Sequence, residues 1–175
     1  RALKGELPLI AAARRLQDEV LSPSIQAGVD SDAPLAEEAR LVASFKKVAL
    51  MVIGTALQTF GDRLESEQEV LSFAADVLID TYAAESAVLR AAAAARTRPA
   101  LAALHEAAAR TFVVEAAVRV ETAAKSALSA TVEGDTLRTL LAALRRVLKP
   151  SPVNVVRLRR QLAEAVTAQG KYVFG

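Results

Sequence analysis

The sequence predicts an all-α protein, an antiparallel bundle of five to six helices. Long segments without Gly or Pro carry apolar residues at three- and four-residue spacing, the period of helices that bury one face. Hydrophobic residues make up 53% of the chain, with alanine in surplus, and aromatic residues only 4%. Alanine favours helix and lets helices approach closely, whereas few rings are available to line a large ligand pocket. The composition therefore indicates closely packed helices, and no alternating strand pattern is present.

The N-terminal part divides from the rest by composition. Residues 1–21 are predicted to contain the end of one helix, a break at Gly5 and a second helix that begins near Pro8. Proline is well suited to a first helical turn. Residues 22–34 contain two Pro, one Gly, three Ser and two Asp, which is typical of a linker loop. We expect residues 35–175 to form the bundle domain.

The first helix of the bundle is predicted over residues 35–62. Gly54 is expected to let another helix approach closely, and Gly61 to begin the helix end. The apolar residues of this helix alternate at three and four, as in a bundle seam: Val42, Phe45, Ala49, Val52, Ala56 and Phe60.

The second helix is predicted over residues 66–95, with Ser66 and Glu69 as a capping box. Its apolar residues cover more than half of the circumference, so we expect contacts on two sides and a place at the centre of the bundle. Asp76 and Asp80 lie four residues apart and share a face. They are candidates for a solvated acidic stripe, for ion pairs with a neighbouring helix, or for an interdomain face.

Three further helices complete the pattern. One is predicted over residues 100–132, a shorter one is capped by Asp135, and the last runs from Asn154 to a terminating Gly170. The apolar tail KYVFG is expected to dock on a neighbouring surface.

The sequence shows no residue pattern that is typical of a catalytic site. The chain has no cysteine, which excludes disulfides and thiolate chemistry, and a single histidine, His105, which we interpret as a solvated helix residue. No Gly-rich phosphate loop or nucleophile elbow is present, and the paired carboxylates fall in first helical turns, where the helix dipole explains them. We therefore expect this chain alone to be no enzyme and to hold no cofactor or metal.

Positive charge concentrates at the C-terminal end. The formal net charge is +2, yet residues 136–175 contain eight Lys or Arg and one Glu. Nucleic acid is not expected as a partner, because stacking aromatics and base-reading side chains do not accompany the charge. An anionic membrane and an acidic protein surface both stay open as partners, and we expect a cytoplasmic or membrane-peripheral protein. The candidate interaction surface comprises Arg145, Arg146, Lys149, Arg157, Arg159 and Arg160.

A family resemblance appears in the second helix. The segment EQEVLSFAADVLIDTYAAESAVLRA, which follows KKVALMVIGTAL, resembles the C-terminal helical domain of the very-long-chain type acyl-CoA dehydrogenases. The matching points are Glu67-Gln68, Ala75-Asp76, Ile79-Asp80 and Tyr82-Ala83. The stretch from GDTLRTLL to the end resembles the end of bacterial members, and RALKGELPLI resembles the tail of their catalytic region.

The resemblance implies a function for the longer protein. In this family FAD accepts hydride while a catalytic glutamate removes the α proton of a fatty acyl-CoA, the first step of β-oxidation. Both the flavin site and the base lie upstream of the matched region, so residues 1–21 would be the tail of the catalytic region and a connecting helix. The family domain packs on the catalytic region, and some members link it to dimer integrity or membrane contact. The alternative is a stand-alone helical adaptor that binds an anionic membrane or protein surface through its basic end.

Overall fold

The computed structural model describes residues 34–174, and this part of the chain is built from helices without a strand. The predictions for residues 1–33, including the helix from Pro8 and nearly all of the linker loop, lie outside the described residues. Short 3-10 turns at Gly61–Ser66 and Pro99–Leu101 separate the first three helices. The α-helices are α1 Ala36–Phe60, α2 Gln68–Thr97, α3 Ala102–Thr131, α4 Gly134–Val147 and α5 Val155–Gln169. The predicted all-α bundle is confirmed.

The three long helices form an antiparallel core. Leu35, just before α1, packs beside Ala91 late in α2, whereas Leu57 near the end of α1 packs with Val70 at the start of α2. Residue numbers that rise in one helix and fall in the other identify antiparallel neighbours. The same relation holds between α2 and α3, where Ala91 packs with Ala109. The short helix α4 adds its leucines to the main hydrophobic cluster of these three helices.

The centre of the bundle is α3, not α2, so the sequence-based prediction of a central second helix is wrong. α3 packs against all four other α-helices, whereas α2 packs only against α1 and α3 among them. Twelve residues of α3 are buried, against seven of α2, although both helices have 30 residues. Small side chains on several sides of α3, such as Ala109, Ala116, Ala117 and Ala124, let neighbours approach from different directions.

Two predicted helix stops and one cap are present. Gly61 and Gly170 adopt positive φ angles of 54° and 62°, which glycine reaches without the steric cost of a Cβ atom. Their amide groups donate to carbonyl oxygens of the preceding helical turn. At the start of α5, the side chain of Asn154 accepts a 3.0 Å hydrogen bond from the amide of Arg157.

Two other predicted caps are wrong by one or two residues. Ser66 still belongs to the 3-10 turn, and α2 begins with Glu67 at its N-cap and no side-chain cap, so the capping box with Glu69 is not formed. At α4 the N-cap is Glu133, while Asp135 lies in the first turn and pairs with Arg138 at 2.7 Å. The sequence pattern does not distinguish between neighbouring polar residues near a helix start. The conformation of the preceding turn decides which of them becomes the N-cap.

By length and composition, the segment Ala36–Ser66 would be able to span a membrane. However, 61% of its most apolar window is buried inside the bundle. Phe45 and Val48 of α1 are fully buried. The core helix of a helical bundle meets the same length and hydropathy criteria, so α1 is explained by its packing.

The close packing of α3 yields a stability prediction. Ala116 is completely buried, so Ala116→Leu should lower the free energy of unfolding by about 1–3 kcal/mol through overpacking. The matched change Ala130→Leu, at an exposed position of the same helix, should stay within about 0.5 kcal/mol of the parent chain. Urea denaturation followed by circular dichroism measures both. Equal effects of the two substitutions would contradict α3 as the packed centre.

Candidate interaction surfaces

One row of large apolar side chains on α2 lies outside the core. Leu71, Leu78, Tyr82 and Leu89, which we call the α2 stripe, are 39%, 47%, 76% and 63% exposed. Their spacings of seven, four and seven residues place them within about 40° around the helix axis. Ile79, 64% exposed, flanks the row. The described part of the chain therefore leaves one apolar side of α2 uncovered.

A different side of α2, about 60–140° around the helix axis from the α2 stripe, packs in the bundle. Val70, Ala74, Val77 and Ala84 are buried there. Thr81 is buried among them, and its hydroxyl donates to the carbonyl of Val77 at 2.6 Å. Within the described residues α2 packs against both α1 and α3, as its broad apolar surface predicted, and the α2 stripe is a further apolar side that stays exposed.

The two candidate acidic residues of α2 occupy different environments. Asp80 accepts three hydrogen bonds of 2.7–3.2 Å from the guanidinium of Arg119 on α3. The hydrogen bond with Asp80 raises the pKa of Arg119, whose guanidinium also lies 5.4 Å from the centroid of the Phe112 ring. Asp80 thus forms an ion pair with a neighbouring helix, one of the roles open to it. Asp76 is exposed, and its interdomain role stays a prediction.

The candidate basic residues fall on two separate parts of the surface. Arg145, Arg146 and Lys149 lie at and just after the end of α4, and the other three lie in α5. Both helices pack on α3 but not on each other. All six residues are exposed: Arg145, Arg146, Lys149, Arg157, Arg159 and Arg160.

Arg159 is engaged with another helix of the domain. Arg159 donates to the carboxylate of Glu115 on α3 at 2.9 and 2.5 Å. This ion pair connects α5 to α3. Leu158 is the one side chain of α5 that is buried against the bundle. The ion pair with Glu115 therefore gives Arg159 a structural role, which the number of charged residues in the sequence does not reveal.

His105 is buried, which contradicts its interpretation as a solvated residue. The C-terminal tail covers it: the ring of Phe174 packs edge-on against the imidazole at a centroid distance of 4.9 Å. Val173 is buried beside the bundle, and Arg98 donates to the carbonyl of Phe174 at 3.1 Å. The predicted docking of the tail is confirmed, and its docking site is on α3 of the same chain. Sequence position alone placed His105 on a polar flank because the tail is distant along the chain.

The pKa of His105 is lowered, chiefly because burial penalises the charged imidazolium, with Arg98 and Arg90 adding repulsion. Its Nε2 atom is buried without a hydrogen-bond partner. A lowered pKa and an unpaired nitrogen would suit proton transfer, but the Phe174 ring closes the imidazole off from solvent and substrate. Among the described residues, no group of three or more His, Asp or Glu side chains is arranged to hold a metal.

Comparison with known proteins decides the family. The family model "Acyl-CoA dehydrogenase, C-terminal domain" matches residues 44–146. The chain belongs to this family. A "Probable acyl-CoA dehydrogenase" of Bacillus subtilis (strain 168) is 38% identical over 173 residues, which cover 98% of this chain and 29% of that protein.

The fold agrees with a solved acyl-CoA dehydrogenase. The crystal structure of the Bacillus anthracis enzyme complexed with FAD superimposes with a TM-score of 0.88 and 37% identity. It is matched over 98% of this chain and 29% of its own length. The acyl-CoA dehydrogenase C-terminal domain described here therefore spans less than a third of the relatives that it matches, and it corresponds to their C-terminal part.

Burial of His105 predicts how stability varies with pH. Because its pKa is lower in the folded state, the unfolded chain binds the proton first, and the free energy of unfolding should fall as pH drops below about 6.5. The slope cannot exceed about 1.4 kcal/mol per pH unit. Since His105 is the sole histidine of the chain, denaturant titrations between pH 7.5 and 5.5 isolate its contribution. His105→Gln should flatten the profile, and an unchanged slope in that variant would refute the assignment.

Proposed function

We propose that this domain is a non-catalytic accessory domain of a flavin-dependent fatty acyl-CoA dehydrogenase and serves to pack against the catalytic region of the same polypeptide. The observation that carries the proposal is the match over 98% of this chain to the C-terminal part of an acyl-CoA dehydrogenase complexed with FAD. In this proposal the parent protein is a bacterial oxidoreductase of fatty-acid β-oxidation. Dimer association and peripheral membrane contact are secondary roles that the same domain would serve.

In this proposal FAD binds in the catalytic region, upstream of the described residues. Flavin phosphates need clustered donors such as a glycine-rich loop at a helix N-terminus. The buried hydroxyls of Thr81, Thr111 and Thr131 instead donate to the carbonyl four residues earlier in their own helices. These three hydroxyls thus bond within their own helices, whereas Thr55 Oγ1 and His105 Nε2 are buried without a hydrogen-bond partner.

The proposal is tested by flavin content and electron transfer. The 175-residue chain incubated with FAD and a long-chain acyl-CoA should retain no flavin and reduce no electron acceptor, because the groups that bind FAD lie elsewhere. The full-length parent protein should copurify with FAD and reduce an acceptor when acyl-CoA is added. Stoichiometric flavin on the short chain would overturn the accessory role, and absence of flavin from the full-length protein would overturn the parent activity.

The exposed basic residues favour a second candidate, an adaptor for an anionic surface. Each basic residue near an anionic membrane contributes about 1 kcal/mol of attraction, which salt screens. Arg157 and Arg160 are the better probes, because Arg159 is engaged by Glu115. A cytoplasmic enzyme and a membrane-peripheral enzyme likewise differ in whether they are attracted to an anionic membrane.

Vesicle co-sedimentation separates the two candidates. The adaptor predicts binding of the chain to anionic vesicles at low salt, with loss at high salt and a roughly thirtyfold weaker affinity for Arg157→Ser/Arg160→Ser if two contacts vanish. The charge-matched control Arg63→Ser/Arg96→Ser, on other exposed parts of the surface, should bind as the parent chain does. An accessory domain that only packs against the catalytic region predicts no vesicle binding for any of the three proteins.

A further inference from the structure

We infer that the C-terminal tail, residues 171–174, is released from the bundle when the imidazole of His105 takes up a proton, while the helices stay folded. The contact that carries the inference is the edge-on packing of the Phe174 ring on that imidazole, at a centroid distance of 4.9 Å. The inference goes beyond the accessory role, because it gives the domain a conformational response to mildly acidic pH.

Few contacts hold the tail in place. Of its four residues only Val173 is buried, and Phe174 is half-buried. Arg98, which follows α2 directly, donates one hydrogen bond of 3.1 Å to the carbonyl of Phe174. Tyr172 is 69% exposed, although its ring lies 5.6 Å from that of Phe174. A segment with so few buried contacts opens at a lower free energy than the packed helices do.

The imidazole beneath the tail is placed for its neutral form. His105 is 7% exposed, and its Nε2 atom is buried without a hydrogen-bond partner. A neutral imidazole leaves one ring nitrogen without a proton, whereas both nitrogens of an imidazolium are donors. Protonation under the tail would therefore bury a charge and an unpaired donor together, which is strongly unfavourable. Release of the tail lets water solvate both.

The cationic groups around the imidazole add to this cost. Burial lowers the pKa of His105 most, and repulsion by Arg98 and Arg90 on the α2 side lowers it further. The tail itself brings Lys171 and the uncharged phenol of Tyr172. None of these groups offers a negative charge to an imidazolium.

The acidic groups of the surrounding helices are directed elsewhere. Glu38 at the start of α1 pairs with Arg110 of α3. Glu106 follows His105 in α3 and so points about 100° away around the helix axis. Glu164, the acidic residue of α5, is exposed. Among the described residues, none of these carboxylates contributes to the pKa of His105.

One proton sets the size of the response. The released imidazole titrates near the ordinary histidine pKa of about 6.5, and the docked imidazole has a lower pKa, so opening takes up a proton as the pH falls. The ratio of released to docked tail therefore rises by at most about tenfold per pH unit below that value. Between pH 7.5 and pH 5.0 the ceiling is about thirtyfold.

The two tyrosines provide one probe on the tail and one on the bundle. In the 175-residue chain labelled with 3-fluorotyrosine, the ¹⁹F resonance of Tyr172 reports the tail, and that of Tyr82 reports α2. Tyr172→Phe assigns the two resonances, and a labelled peptide of residues 170–174 represents the released tail. From pH 7.5 to pH 5.0 the ratio of released to docked tail should rise at least about fivefold. The Tyr82 resonance and the helical circular dichroism should stay unchanged.

Three results of this titration would overturn the inference. The first is a Tyr172 resonance that already equals the peptide value at pH 7.5. The second is a Tyr172 resonance that does not move over the pH range. The third is a shift of both tyrosines together with loss of helix, which would mean that the proton unfolds the bundle and does not release the tail alone.

Variants of the same chain test whether His105 and Phe174 are the coupled groups. His105→Gln should make the Tyr172 resonance independent of pH. Phe174→Ala should release the tail at every pH and raise the pKa of His105 toward about 6.5, because the covering ring is gone. Val118→Ala, at a 64% exposed position of the same helix, should change neither property.

Proton NMR of the imidazole Hε1 atom measures this pKa directly, since the chain has a single histidine. A pH-dependent Tyr172 resonance in His105→Gln would count against the inference. An unchanged His105 pKa in Phe174→Ala would do the same, and this second variant keeps the test available if His105→Gln does not fold.

Discussion

The close contact between α2 and α3 is the interaction on which the rest of the bundle depends. Both helices are 30 residues long and antiparallel, and the buried residues that line their contact include many alanines. Short side chains bring helix axes to the lower end of the usual 8–10 Å separation, where many weak dispersion contacts add up. Ala84 and Ala116 are completely buried, and Ala91, Ala94 and Ala117 nearly so.

Position around the helix axis explains why α2 presents an apolar outer surface. Leu78 and Tyr82 lie on a side of α2 away from the alanine seam, so they project away from the bundle. α3 has no such surplus, because α1, α2, α4 and α5 pack around it from several directions. The described domain thus has one apolar helix face that no other helix of the bundle covers.

Polar contacts at the edges of the seam set the relative rotation of the helices. Lys46 pairs with Glu85 between α1 and α2, Arg110 with Glu38 between α1 and α3, and the Asp80 carboxylate with a guanidinium of α3. An exposed pair such as Lys46–Glu85 stabilises by about 0–1 kcal/mol, so it selects one arrangement more than it strengthens it. The Glu38 carboxylate is buried, so its pair with Arg110 offsets the cost of removing that charge from water. The C-terminal tail adds an apolar contact between distant parts of the chain, since the Phe174 ring packs edge-on against the buried imidazole.

The sequence by itself determined the helical class, the approximate extent of the five described helices, the glycine stops, the Asn154 cap and the family. These features depend on local periodicity, on backbone conformations that glycine favours, and on short sequence segments that resemble the family. It did not determine which helix is central, which polar residue caps α2, or that His105 is buried. Only the tertiary structure decided these points, because each depends on side chains distant in sequence. An apolar face has the same pattern whether its partner is α3, the C-terminal tail or a region outside this chain, so only packing distinguishes core from the α2 stripe.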